Sequence, residues 1–212
     1  MSKLIFSSKF ILPLATLLGF FFVTFAQESK YCSVSQNHTM CLYPSSSPSC
    51  NCLKRGVNFT QIAQIIYLHN SCRSRVAAGF ESRGRDEIPQ PPASNMNALQ
   101  WDPELARIAQ RWADQCTLRS DRVRDIPETY GYVGQNMYAF IQSRDKLPAE
   151  SSQPEELYWQ TAIQSWYDEV DTFDPSNVDS YQYNQSNGKY TQLVWGNTTD
   201  VGCGFCLFPT SN

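Results

Sequence analysis

The sequence predicts an α+β fold in which the helices come first and the strands come last. Amphipathic helical patterns begin near residue 58, and stretches rich in β-branched and aromatic residues come after residue 190. The chain has 212 residues, of which 42% are hydrophobic and 13% aromatic, enough to bury the core of one domain. Its 17 basic and 20 acidic side chains give a net charge of −3, which argues against a nucleic-acid-binding protein.

Residues 1–26 have the pattern of a secretory signal peptide. Two lysines and no acidic residue precede a long apolar stretch, and Thr24 and Ala26 place small residues at a cleavage site. A membrane anchor is the alternative, but Pro13 interrupts the apolar stretch, which is shorter than the roughly 20 residues that cross a bilayer. We therefore expect a secreted, extracellular protein without a membrane span.

Secretion favours disulfide bonds over zinc thiolates for the cysteines, because the extracellular compartment is oxidising. The candidates are Cys32, Cys41, Cys50, Cys52, Cys72, Cys116, Cys203 and Cys206. The same route makes the Asn-x-Ser/Thr sequences candidate glycosylation sites. These sites are Asn37, Asn58, Asn184 and Asn197.

Residues 27–56 are rich in Cys, Pro and Ser and lack an apolar period, so they predict a cysteine-rich extension packed on a main domain, residues 57–212. The main domain opens with a helix, because Asn58 and Gln61 can form a capping box and Gly79 supplies a stop. Its predicted inner face consists of Ile62, Ile65, Ile66, His69, Cys72 and Val76.

The segment Arg83–Asn97 is rich in proline and charge, and it predicts a long loop without a helix. A second helix starts at Asp102, a capping residue, with Pro103 at the first helical position. A third begins near Pro154. We expect its inner face to consist of Tyr158, Ala162, Trp166, Glu169 and Phe173.

The end of the chain predicts two strands. Tyr190–Trp195 and Val201–Phe208 are rich in β-branched and aromatic residues, and Gly196–Asp200 supplies turn residues between them. We expect an antiparallel pair.

Four short motifs occur together in this chain: His69-Asn70-x-x-Arg73, Gly134-Gln135-Asn136, Trp166–Val170 and Gly188–Trp195. By these motifs the chain resembles the superfamily of cysteine-rich secretory, antigen-five and pathogenesis-related (CAP) proteins. Pro89–Met96 and the leader Tyr31–Cys41 resemble the antigen-five branch of insect venom and saliva. The resemblance spans nearly all of Tyr31–Phe208 and implies an α-β-α sandwich, with an antiparallel sheet between helical layers.

In that family a cleft commonly presents two histidines and two acidic groups, which bind a divalent metal in some members. The resemblance carries these positions onto His69, Gln135, Glu169 and Lys189. Gln135 keeps an oxygen but loses the charge, and the ammonium group of Lys189 has no lone pair for a metal. A closed zinc site needs about four ligands. We therefore expect no metal and no cofactor, but an ion pair between Lys189 and Glu169 and a core histidine hydrogen-bonded between helix and sheet.

The resemblance also suggests the disulfide pairing. It implies that Cys32 pairs with Cys41 and that Cys50 or Cys52 pairs with Cys116, which leaves the other leader cysteine to reach Cys72. The family normally continues past Cys203 to a further strand, whose cysteine bridges back to that position. We therefore expect either a truncated form, or new partners for Cys203 and Cys206.

The function that this reading implies is binding to a lipid, a sterol or an extracellular protein, without catalysis. A hydrolase or peptidase that uses His69 and Glu169 is the alternative, but no Ser or Cys is placed beside them as a nucleophile. A third possibility is a truncated product that does not fold stably.

Overall fold

The computed structural model describes residues 30–126, 132–139, 141 and 156–209. The expected signal peptide and the expected start of the third helix at Pro154 lie outside these residues. The helices are α1 (Thr39–Leu42), α2 (Phe59–Ala77), α3 (Pro103–Ala113), α4 (Glu156–Tyr167) and α5 (Gly188–Leu193). The strands are β1 (Lys54–Arg55), β2 (Gln100–Trp101), β3 (Asp200–Val201) and β4 (Cys206–Leu207). The predicted α+β class is confirmed.

Helix α2 begins at the predicted cap. The side chain of Asn58 accepts a hydrogen bond from the Gln61 backbone, 2.9 Å, and the Gln61 side chain accepts one from the Asn58 backbone, 2.8 Å. Both donors would otherwise lack partners at the start of the helix. Gly79 follows the helix with φ +73°, the left-handed conformation that glycine adopts most easily. The helix therefore has the predicted start and stop.

Helix α3 also begins as predicted. Asp102 accepts a hydrogen bond from the Leu105 backbone, 2.6 Å, and Pro103 occupies the first turn. The helix ends at Ala113, so Cys116 lies beyond it. The predicted loop between α2 and α3 contains one short 3-10 turn, Arg85–Glu87.

Two hydrophobic clusters lie in the described part of the chain. The main cluster is formed by α2, α4, α5 and the 3-10 segment Asp168–Thr172 with its flanks, and it contains Ile65, Val76, Trp159, Ala162, Ile163, Trp166, Tyr167, Val170, Phe173, Tyr190 and Leu193. The leader cluster joins the N-terminal extension to α3, and it contains Tyr31, Met40, Ile108 and Ile126. The predicted inner face of α4 is confirmed at Ala162 and Trp166, and Tyr158 is only partly buried. The helix ends at Tyr167, earlier than predicted, so Glu169 lies in the 3-10 segment and the buried Phe173 follows that segment.

The predicted antiparallel pair at the end of the chain is wrong. Gly188–Leu193 is a helix, β3 pairs in parallel with β2, and β4 pairs antiparallel with β1 in the extension. Long-range contacts decide this outcome, because α5 finds hydrogen-bond partners for both of its ends on other elements and a local β preference cannot compete with them. The two short strands instead tie the end of the described chain to β2, just before α3, and to β1 in the extension.

Three disulfide bonds join Cys32 to Cys41, Cys50 to Cys116, and Cys52 to Cys206. The first two agree with the pairing that the resemblance implies. The expected bridge to Cys72 is wrong: the β1 and β4 pairing sets Arg55 opposite Cys206, which brings Cys206 to Cys52. Cys72 and Cys203 have free thiols and pack against the main cluster.

None of the helices in the described part of the chain combines the length and the apolar character that a membrane crossing requires.

Candidate functional site

Glu169 and Lys189 lie together at the start of α5. The ammonium Nζ of Lys189 is 2.5 Å from Oε1 of Glu169, as the sequence predicts. The second carboxylate oxygen, Oε2, accepts hydrogen bonds from the backbone N–H groups of Lys189, 2.8 Å, and Tyr190, 3.3 Å. Glu169 therefore caps the start of α5 from another part of the chain, in the position where a negative charge is favoured.

His69 lies inside the main cluster with only 5% of its surface exposed. Its Nδ1 contacts the Ile65 carbonyl of its own helix at 2.8 Å, and its ring lies 6.2 Å from that of Trp166. Burial lowers the pKa of His69 to about 4, although the hydrogen bond to Ile65 opposes this shift. The histidine is thus a neutral core residue, as expected, but its hydrogen bond stays within α2 instead of reaching a sheet.

Asn136 contacts Lys189, and it lies with Gln135 in a segment without regular structure. Asn136 donates from Nδ2 to the Lys189 carbonyl, 2.9 Å, and Trp166 donates from Nε1 to the carbonyl of Met137, 3.0 Å. Within the described residues, the buried atoms Gln135 Oε1 and Asn136 Oδ1 have no hydrogen-bond donor. Two adjacent acceptors without donors favour a ligand or water that carries a hydroxyl group.

The preceding residue, Gly134, allows this segment to approach α5. A Cβ atom at Gly134 would overlap the side chain of Gln192. The Gly-Gln-Asn motif thus combines a close contact at its first position with two free acceptors at its second and third. The sequence marked Gln135 by resemblance, but it gave no indication that Asn136 would also carry a free acceptor.

The four residues of the family cleft do not fit a zinc site in this chain. The ammonium of Lys189 occupies the carboxylate that would bind the metal, and it adds positive charge. His69 is buried, and its Nδ1 is already bonded. One other set of possible ligand atoms lies close together in the described chain, the sulfurs of Cys50, Cys116 and Cys206, but all three are in disulfide bonds.

The motif residue Arg73 has a role that the sequence did not reveal. Its guanidinium is 2% exposed and donates to the carbonyls of Asn97, Leu193, Trp195, Gly196 and Thr198. Burial lowers the pKa of Arg73 to about 10, so the group stays charged at neutral pH. Because Leu193 is the last residue of α5, Arg73 satisfies the carbonyl end of that helix and the turn after it.

Glu81 is a second buried charge outside the predicted set. Its carboxylate is 0% exposed and accepts hydrogen bonds from Tyr167, 2.5 Å, and Arg83, 3.1 Å. Burial alone would raise the pKa of Glu81, but the hydrogen bonds from Arg83 and Tyr167 hold it below its usual value. Glu81 thus links the loop after α2 to α4, and it lies inside the fold where no substrate could reach it.

The two free thiols are poor nucleophiles. Burial raises the pKa of Cys72 to about 11 and that of Cys203 to about 12, so both are protonated at neutral pH. The structure therefore supplies no activated thiol to complete a catalytic set with His69.

Comparison with known proteins places these features in a family. The family model for the cysteine-rich secretory protein family, CAP, matches residues 66–211. The chain is 40% identical over 180 residues to venom allergen 5 of Microctonus hyperodae, covering 84% of this chain and 73% of that protein. It is 43% identical over 178 residues to venom allergen 3 of Solenopsis invicta, covering 81% of this chain and 71% of that protein.

Solved structures agree with this result. BmVAL-1 matches with a TM-score of 0.51 and 27% identity, over 72% of this chain and 71% of that one. A crystal structure of NaASP2 with zinc matches with a TM-score of 0.51 and 22% identity, over 72% of this chain and 75% of that one. The second match supports the fold.

Proposed function

Because the chain belongs to the cysteine-rich secretory protein (CAP) family, we propose that it is a secreted, extracellular protein that acts by binding and not by catalysis. The secretory pattern of residues 1–26 and the antigen-five resemblance support this proposal. Its ligand is a lipid with a hydroxyl group, such as a sterol. An extracellular partner protein is the second class of ligand.

The hydrogen bonds of Glu169 are the main reason to propose binding over catalysis. Both of its oxygens are engaged by Lys189 and by the first N–H groups of α5. A general base must accept a proton from the substrate, whereas both oxygens of this carboxylate already accept hydrogen bonds that hold the start of α5. Within the described residues, no hydrogen bond or ion pair joins it to His69. The lack of such a link among the described residues supports binding over hydrolysis.

The surroundings of the ion pair support a ligand with a hydroxyl group. Gln135 and Asn136 each offer a buried oxygen without a donor. Beside them the side chain of Lys189 is 44% exposed and can donate to a ligand oxygen. A hydroxyl group both donates and accepts, so it can donate to one of the amide oxygens while it accepts from Lys189. A pure hydrocarbon would leave these polar groups unsatisfied.

The experiment is sterol binding by the purified protein. We expect lipid or sterol to copurify, detected by mass spectrometry of an organic extract, and a fluorescent sterol to bind the stripped protein. Gln135→Leu should weaken this binding, because it removes an acceptor at nearly constant size. Gln160→Leu is the matched control, since Gln160 is exposed on α4 and should leave binding unchanged.

Two results would contradict the proposal. One is a folded protein that contains no lipid and takes up no sterol. The other is a peptidase or esterase activity that is lost in His69→Gln while the protein stays folded. Activity that survives this substitution would indicate a contaminant.

A further inference from the structure

The asparagine that caps α2 lies beside a very exposed aromatic ring. Asn58, Phe59 and Thr60 form an Asn-x-Thr sequence, and the side chain of Phe59 is 92% exposed. An isolated, fully solvated phenylalanine has no packing role in the fold. The cap uses only Oδ1 of Asn58, which accepts from Gln61. Its amide nitrogen, Nδ2, has no hydrogen-bond partner in the described part of the chain.

Two further Asn-x-Ser/Thr sequences border one aromatic patch over α5, which we define as Tyr181, Tyr183 and Trp195. Tyr181 and Trp195 stack edge to face at 5.1 Å, and Tyr183 packs over Gly188. Asn184 follows Tyr183, which is 74% exposed, and Asn197 lies two residues after Trp195, which is 47% exposed. Tyr183 and Trp195 thus leave exposed aromatic surface beside the two asparagines.

We propose that N-linked glycans on Asn58, Asn184 and Asn197 cover the exposed aromatic rings beside them. The C–H faces of pyranose rings can pack on an aromatic face, while their hydroxyl groups stay in water. The covered surface then no longer promotes self-association. This inference rests on the proposed secretion, since the sugar is attached in the secretory pathway.

The attachment follows from the chemistry of the amide. The host transferase moves an oligosaccharide from a lipid-pyrophosphate donor to Nδ2 of the asparagine. A bond forms between Nδ2 and the first sugar carbon, Nδ2 loses a proton, and the lipid pyrophosphate leaves. Asn184 has the same arrangement as Asn58. Its Oδ1 accepts a hydrogen bond from the Ser186 backbone, 2.9 Å, and its Nδ2 has no partner among the described residues.

Asn37 is the internal contrast. Its side chain is exposed, but Thr39, the third residue of its sequence, is 1% exposed and donates to Asp121 at 2.5 Å. No exposed aromatic residue lies within two positions of Asn37 in the sequence. A glycan at Asn37 would therefore cover no aromatic ring. Removing the sugar at Asn37 thus tests the loss of a glycan that covers no apolar surface.

The test expresses the full chain in a eukaryotic secretory host, with a signal peptide of that host placed before it. Peptide mass analysis before and after removal of N-glycans measures each site in lysate and medium. Thr60→Ala removes the site at Asn58 without changing the cap, and Thr60→Ser keeps it. Ser186→Ala, Thr199→Ala and Asn37→Gln remove the other three sites. The readout is the fluorescence of a dye that binds exposed apolar surface.

We expect sugar at Asn58, Asn184 and Asn197. Dye fluorescence should rise severalfold in Thr60→Ala, and it should stay at the starting level in Thr60→Ser and Asn37→Gln. Phe59→Ser added to Thr60→Ala should abolish the rise, because the ring itself is gone. Ser186→Ala and Thr199→Ala should raise fluorescence at the aromatic patch.

Absence of sugar at these three sites would overturn the inference, and so would sugar whose loss leaves dye binding unchanged. The chain with only its own residues 1–26 as signal peptide tests secretion separately. If that chain stays in the cytosol while the chain with the host signal peptide carries sugar, the proposed secretion fails and the glycan inference stands. If the chain with its own signal peptide is secreted without sugar, the proposed secretion stands and the glycan inference fails.

Discussion

The two hydrophobic clusters are stabilised by different means. The main cluster contains eleven buried residues and two cysteines with free thiols, and it is crossed by the hydrogen bonds of Arg73 and Glu81. The leader cluster contains four buried residues, and all three disulfide bonds of the described chain lie in or reach the extension that helps to form it. Where little apolar surface is buried, covalent links take over the stabilisation.

The largest expected effect tests the polar support of the main cluster. Arg73→Met should lower the free energy of unfolding by about 5 kcal/mol, because it leaves five carbonyl groups without their donor. Chemical denaturation measures the loss. Arg122→Met is the control, since Arg122 is exposed and its removal should cost much less. Equal losses in the two variants would refute the role of Arg73.

The second effect tests the covalent support of the leader cluster. Replacing Cys50 and Cys116 together by Ala opens a bridge between residues 66 positions apart, which should cost at most about 4 kcal/mol. The retained Cys52–Cys206 bond limits the loss. Hydrogen exchange should quicken in the extension and α3 and stay slow in α2 and α4. Uniform quickening would show that the two clusters unfold as one unit.

The third effect compares two histidines, His69 in the main domain and His38 in the N-terminal extension. Burial lowers the pKa of His69 to about 4 and also lowers that of His38. A histidine with a lowered folded pKa stabilises the fold above its unfolded pKa of about 6.5, and this contribution is lost as the pH falls towards the folded value. His69 alone accounts for about 3 kcal/mol between pH 6.5 and 4.

Thermal unfolding across that range measures this loss. His69→Gln should flatten most of the pH dependence, whereas His38→Gln should flatten less, because the shift at His69 is the larger of the two. The pKa values of Glu81 and Glu104 are also held low, so their stabilising contribution is lost only as the pH falls below their usual pKa of about 4.3. A slope unchanged in His69→Gln would contradict the assignment.

The smallest effect concerns the cap of α2. Asn58→Ala should cost about 1 kcal/mol by removing the capping box, measured on protein from a host that does not glycosylate. Thr60→Ala in the same host should be nearly neutral, because Thr60 is exposed. A loss of similar size in both variants would place the effect outside the cap.

The sequence predicted those parts of the fold that depend on local signals. Asn58 with Gln61, and Asp102 with Pro103, set the starts of α2 and α3 within a few residues of chain. Helix α5 could not be found in this way, because Glu169 satisfies its first N–H groups and Arg73 its last carbonyl, from positions distant in the sequence. Tyr190 and Val194 favour a strand locally, and these contacts override them.

The candidate site likewise has features that the sequence predicted and features that depend on distant contacts. The pairing of Lys189 with Glu169 follows from opposite charges at two family positions, and the structure has it. The capping role of Glu169 depends on where α5 starts, so the mistaken strand concealed it. The bond from Cys52 to Cys206 depends on the β1 and β4 register, which no local pattern reveals.

That bond also determines how the molecule should respond to mechanical tension. Cys52 and Cys206 are 154 positions apart in the chain, yet their Cα atoms are 5.7 Å apart. A force applied between residue 30 and residue 209 therefore passes through the Cys32–Cys41 and Cys52–Cys206 bonds, and the chain between residues 52 and 206 carries no load. The main cluster, which lies entirely between Cys52 and Cys206, should stay folded under pulling until a reductant cleaves the bond. Tyr31 and Met40 of the leader cluster lie outside the bridge and can be pulled away before that.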